Sequence, residues 1–145
     1  MARLGMVGWD ISYTYAVLGP EDTAALRAIG TSLAHFCIDI QKAVEQFART
    51  MTQVDGFDLP DAIAIAIALD PTVATDTQRR FVAIETQSNL CRGQSVVDHL
   101  QITGREPNAE VVTEASREIF LQMLFDAVRL RKPQGGLCAV RSAAW

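Results

Sequence analysis

The sequence holds no Cys-x-x-Cys pair and no Cys/His pair at metal-ligand spacing. Its three cysteines, Cys37, Cys91 and Cys138, are far apart and odd in number. They read as reduced thiols, not as a disulfide framework or a zinc site. Long apolar runs are also missing. The longest, Ala62 to Leu69, has eight residues, against the roughly 20 that a membrane span requires. The first residues, Met1 to Met6, lack the extended apolar core of a signal peptide, so a soluble, cytoplasmic protein is expected. Basic charge is in the minority: 13 Lys and Arg face 17 Asp and Glu, for a net charge of −4 and a pI near 5.1. That balance argues against nucleic acid or an anionic membrane as the main partner, since both call for a basic footprint. No repeat, GxGxxG, P-loop or Ser/His/Asp arrangement with a nucleophile elbow occurs.

What is present is globular. The chain has 145 residues, of which 49% are hydrophobic and 21% charged, enough for one domain with a core of its own. Its most distinctive stretch runs from Asp55 to Pro71. Asp58 is placed to cap a helix. Pro60 fits the first turn, where a missing N–H costs nothing, and Asp61 falls where the acid of a capping box sits. Ala62 to Leu69 then carries no polar side chain, and Asp70-Pro71 stops the helix. A helix apolar on every face is expected to be enclosed, with an acidic mouth at its N-terminal end.

The remaining segments read in order. The β-branched and aromatic residues near the start predict a strand over 5–11, buried early on both faces, with Trp9 in the core and Asp10 at the strand's end. Gly19, Pro20, Glu21 and Asp22 open a short helix that ends at Gly30. Thr31 or Ser32 caps the next helix. There Leu33, Phe36, Cys37, Ile40, Val44, Phe47 and Met51 recur at helical spacing and predict one amphipathic helix facing the core. His35 lies on it and, as a lone histidine on such a helix, is read as a surface or satisfied residue. A polar stretch over 72–80 follows. Strands over 81–86 and 95–100 then form a hairpin with Gly93 near the turn. Val111 to Thr113 makes a last short strand, and Thr113 or Ser116 caps a final helix. His99 is expected to be exposed. Residues 131–145 show no periodicity and are read as an irregular or disordered tail.

Several of these segments together resemble one family. Phe57 to Thr72 resembles the (H/P)DPLAVAxxLDPS segment of the inosine–uridine preferring nucleoside hydrolases. Val82 to Thr86, followed by Arg92 to Asp98, resembles that family's VxVET…TRGQTVVD block. Gly104 to Val111 resembles GRxPNVxV, Met6 to Ser12 resembles MVGLDVT, and Gly19 to Asp22 resembles TPED. The order agrees throughout, and the likeness covers residues 4–128.

The resemblance implies an α/β fold: the C-terminal part of an open, mainly parallel sheet with flanking helices and a β-hairpin. Residues 1–130 would form this partial domain. The implied activity is hydrolysis of the N-glycosidic bond of ribonucleosides to ribose and base. The implied cofactor is Ca²⁺, held by carboxylates. Of the family's metal ligands only Asp61 has a counterpart here, and no residue is assigned as catalytic. The family's DxDxGxDD metal motif and its ribose-binding segment have none. Pro60 stands where the family often has histidine, and Ala62 where it usually has proline. Glu85, Arg92, Asp98 and Asn108 fall in blocks that shape the hairpin and turns. The expectation is a nucleoside hydrolase homologue, truncated and inactive by itself. The alternative is a non-catalytic module that pairs with a chain carrying the missing half, or forms a homo-oligomer.

Overall fold

A computed structural model of the chain describes residues 4–52 and 54–129. The expected tail over 131–145 lies outside them. The elements are β1 (Gly5–Met6), α1 (Trp9–Tyr15), β2 (Val17–Leu18), α2 (Pro20–Ala28), α3 (Ser32–Asp39), α4 (Lys42–Phe47) with a π-helical turn (Ala48–Thr52), and β3 (Phe57–Asp58). There follow α5 (Pro60–Leu69), a 3₁₀ turn (Pro71–Val73), β4 (Ala74–Arg80), β5 (Val82–Ile84), β6 (Ser95–Val97), β7 (Ala109–Ala115) and α6 (Arg117–Arg129).

The class is α/β. A three-stranded sheet has the order β1-β7-β4, with β1 parallel and β4 antiparallel to β7. β2 pairs with β3, and β5 with β6, both antiparallel. β7 is the middle strand. Ala109, Val111, Val112 and Ala115 on it are buried, so the predicted short strand is longer and more central than its three residues suggested. The polar stretch after Pro71 forms β4. Its burial alternates along the strand, the period-two pattern of a half-covered sheet face, carried by Thr, Gln and Arg and thus invisible to hydropathy.

Two groups of buried residues hold the elements together. Ile11 and Ala16, Ile63 and Ala66 of α5, Val112 and Ala115 of β7, Val73 and Phe120 of α6 make the first. Leu18, Leu26, Ala34, Ile38, Phe57 and Val128 make the second. Arg117, at the start of α6, bridges distant parts of the chain. Its Nη1 donates to the carbonyls of Tyr15 (3.2 Å) and Val17 (2.7 Å), and its Nη2 to Asp22 Oδ2 (2.7 Å). Ser116 caps α6, its Oγ accepting from the Ile119 N–H at 3.3 Å. Thr31 caps α3 by accepting from Ala34 N–H (3.1 Å), and donates to the Val128 carbonyl (2.7 Å) at the end of α6.

Four expectations are corrected. The predicted strand over 5–11 is only Gly5–Met6; with Gly8 extended as its N-cap, the chain turns into α1 at Trp9. Helical spacing there directs Ile11 and Tyr15 to the core, while Trp9 is 65% exposed and Asp10 sits in a helix. Gly5 is exposed and Met6 only half-buried, because β1 is an edge strand. The long amphipathic helix is broken at Ile40 and Gln41, and its stripe of Leu33, Phe36, Ile40, Val44, Phe47 and Met51 faces solvent. α3 packs instead through small Ala34 and Ile38, against Leu26 and Val128. Asp58 does not cap α5, as described below. Finally, α5 is not enclosed: Ile63 and Ala66 are buried, yet Ile65 is 60% and Leu69 75% exposed.

Several local signals act where the sequence puts them. Gly30 closes α2 at φ 71° and Gly93 turns the hairpin at φ 92°. Asp70 ends α5, its Oδ1 accepting from the Thr72 N–H (2.9 Å) and hydroxyl (2.6 Å). His35 and His99 are exposed. Among the described residues no helix is long and apolar enough to cross a membrane.

Two measurements check this packing. In urea denaturation, Ile63→Ala should cost about 2–5 kcal/mol through a core cavity, while Phe36→Ser should stay within about 0.5 kcal/mol. The second concerns Asp98, whose carboxylate accepts from Thr103 Oγ1 (2.6 Å), Thr103 N (3.0 Å) and Ile102 N (3.1 Å). The Thr103 hydroxyl first, and these backbone N–H groups after it, hold its carboxyl below the ordinary value of 3.8. A depressed pKa gives stability that is present above the unfolded value and lost as pH falls through the folded one. The stability gap between wild type and Asp98→Asn should therefore narrow as pH drops below about 4.

Candidate functional site

The mouth of α5 is built by pairing, not by capping. Phe57–Asp58 runs antiparallel to Val17–Leu18, and the Leu59 N–H donates to the Ala16 carbonyl at 3.1 Å. Gly56 makes this pairing possible. It adopts φ 145°, and a Cβ there would fall 2.2 Å from the Leu18 carbonyl oxygen, so only glycine fits. Extended at Asp58, the chain turns that carboxylate away from the helix start and toward α1. Asp58 Oδ2 accepts from Trp9 Nε1 at 2.7 Å and lies 3.1 Å from Ser12 Oγ. Ser12 is fully buried, and its hydroxyl also lies 3.0 Å from the Trp9 carbonyl; its single proton is shared between the two acceptors. Leu59 becomes the N-cap, with no side-chain hydrogen bond.

Pro60 and Asp61 then form the first turn of α5. Asp61 is exposed, on a turn whose free N–H groups favour negative charge. Helical spacing puts Asp61 on one side with Ala64, Ile65 and Ala68, opposite buried Ile63 and Ala66. Beside the mouth, the rings of Trp9 and Tyr13 lie 5.7 Å apart, tilted by 36°.

Among the described residues, no three or more His, Cys, Asp or Glu side chains gather where a metal ion could be held. Ca²⁺ takes about six to eight oxygen ligands. Asp61 by itself, with Asp58 engaged by Trp9 and Ser12, does not make up such a set. Pro60 offers no proton to a leaving group.

The other residues singled out from sequence lie in turns of the hairpin region. Glu85 Oε1 accepts from the N–H groups of Gln87 (2.5 Å) and Ser88 (2.9 Å). Asn108 exchanges two hydrogen bonds with the Val82 backbone, at 2.8 and 2.9 Å, and so continues a strand-like ladder. Arg92 is exposed. None is brought to the mouth of α5 by these contacts. The Trp9–Asp58–Ser12 knot escaped the sequence reading. Its signal is the i, i+3 spacing of Trp9 and Ser12, which has meaning only once α1 is a helix.

Comparison with known proteins places this geometry. The family model of the inosine-uridine preferring nucleoside hydrolases matches residues 2–122. The pyrimidine-specific ribonucleoside hydrolase RihA of Shigella flexneri serotype 5b is 31% identical over 125 residues, 86% of this chain and 40% of its own. RihA of Escherichia coli O1:K1 gives the same identity and coverage. Among solved structures, an inosine-guanosine nucleoside hydrolase superposes with TM-score 0.75 and 22% identity, over 90% of this chain and 40% of that one. A plant nucleoside hydrolase superposes with TM-score 0.76 and 17% identity, over 90% and 42%. The chain thus spans about 40% of the length of the curated relatives that it matches. With a family model covering most of its residues and the fold shared with solved members, the chain belongs to the inosine-uridine preferring nucleoside hydrolase family.

Proposed function

We propose that this chain is the Asp61-bearing portion of a Ca²⁺-dependent nucleoside N-ribohydrolase, an enzyme that splits ribonucleosides into ribose and base. The observation that carries the reading is the position of Asp61. It stands exposed in the first turn of α5, on a mouth fixed by Gly56 and by the Asp58 contacts, within a family-wide match. In this reading Asp61 is one ligand of the Ca²⁺ ion, and the other ligands come from the part of the family fold that this chain does not span. The chain's own contribution is then positional. Asp58 locks α1 to β3, and β3 sets the height at which Asp61 emerges. Pro60 supplies no proton, so assistance to the departing base falls to some other group.

A ribonucleoside is the proposed ligand. A reducing, cytoplasmic compartment suits the free thiols of Cys37 and Cys91. A second reading, a non-catalytic module that pairs with a chain supplying the rest of the fold, is favoured by the bare apolar side of α5.

The purified chain, given inosine or uridine with Ca²⁺, should release no ribose above background, and Asp61→Asn should behave the same. Sustained ribose release that disappears in Asp61→Asn would show a complete site within this chain and sink the proposal.

A further inference from the structure

We propose that the open side of α5, the cleft beside it and the outer edge of β1 form one docking surface, and that it takes a polypeptide carrying the portion of the nucleoside hydrolase fold that this chain does not span. The inference rests on the family reading above and locates the contact that the reading requires. α5 has no polar side chain from Ala62 to Leu69, and a helix of that kind is stable when covered all round. Ile63 and Ala66 are covered; Ile65 and Leu69, on the other side, are not.

That bare side continues into a cleft of about 1010 Å³ between α5, the sheet and the β5–β6 hairpin. Met6, Ile67, Val82, Ile84 and Val112 line it, with Leu4 at the edge strand. Leu4, Ile65, Leu69 and Ile84 are each more than half exposed. An apolar surface of this extent marks an interaction site.

The third part is the sheet edge. β1 pairs with β7 on one side, and among the described residues no strand flanks its other side. A Cβ built at Gly5 would meet nothing within 4 Å, so the sheet face is open at this residue as well. Open edges add strands readily.

The occupant follows from the comparisons. The matched relatives share this fold over 90% of the chain, yet the match takes up only 40% of one such relative. More than half of that relative therefore has no counterpart here, while an edge, a cleft and a helix side stand uncovered. A second copy of this chain would repeat the same two-residue edge, the same bare helix and the apolar stripe of α3 and α4. It would leave that missing portion unsupplied. Because Asp61 and Ile65 are four residues apart on one helix side, whatever covers Ile65 also approaches Asp61.

The probe is the portion of Shigella flexneri RihA outside its match to this chain, co-expressed as a separately tagged polypeptide. Complex formation is read by co-purification and by size-exclusion chromatography with light scattering. A one-to-one complex is expected. Ile65→Asp and Ile84→Lys, both at exposed positions, should each weaken it at least tenfold while leaving the circular dichroism spectrum unchanged. Phe47→Glu, on the separate apolar stripe, should leave it intact. Absence of a complex with wild type overturns the inference. So does binding that resists Ile65→Asp and Ile84→Lys, or a homodimer of this chain that Ile65→Asp dissolves. A complex that forms as expected but releases no ribose from inosine or uridine would leave the docking surface standing and count against the catalytic reading.

Discussion

The structure depends on one constraint: from Ala62 to Leu69, α5 has no side chain that prefers water. Burying a large aliphatic side chain is worth about 1.5–3 kcal/mol. α5 gains this fully at Ile63, while Ala66, a smaller residue, is buried beside it, and much of it is forgone at Ile65 and Leu69. The buried side fixes the helix against α1, β7 and α6. The exposed side leaves Ile65 and Leu69 in contact with solvent. Asp61 belongs to that second side.

Two polar clasps keep the mouth of α5 in place. Asp58 ties β3 to α1 through Trp9 and Ser12. Arg117 ties α6 to the end of α1, to β2 and to Asp22, whose carboxylate also accepts the Gly19 N–H at 3.0 Å. Hydrogen bonds to charged groups contribute about 1.5–3 kcal/mol when shielded from water. Here Arg117 and Asp22 are only part-buried, so their worth lies mainly in fixing orientation. Both clasps join residues far apart in sequence, and both hold α1: Asp58 through Trp9 and Ser12, Arg117 through the Tyr15 carbonyl.

Local signals read well from sequence. Thr31, Gly30, Gly93 and Asp70 act where their backbone preferences placed them, because caps and turns are decided within a few residues. Stop signals therefore gave the ends of α2 and α5 correctly. What failed needed tertiary information. Asp58 looked like a cap because its neighbours suit one, but pairing with Val17–Leu18 fixes it in a strand. The stripe from Leu33 to Met51 looked like core because it is apolar and periodic. Contact with α6 runs instead through Ala34 and Ile38, small or compact residues that let the helices approach. β4 was missed because Thr, Gln and Arg alternate there without hydropathy contrast. At the site, Asp61 was legible only through family resemblance. Among the described residues no three or more His, Cys, Asp or Glu side chains gather where a metal ion could be held, and neither periodicity nor charge pattern singles Asp61 out.

The central claim is that Asp61 is one ligand of a metal site whose other ligands lie outside this chain. Isothermal titration of the purified chain with Ca²⁺ tests it most directly. The account predicts no saturable binding up to about 1 mM, the weak end of dedicated Ca²⁺ sites. Stoichiometric binding at micromolar Ca²⁺, lost in Asp61→Asn, would contradict it, since the full ligand set would then reside in this chain.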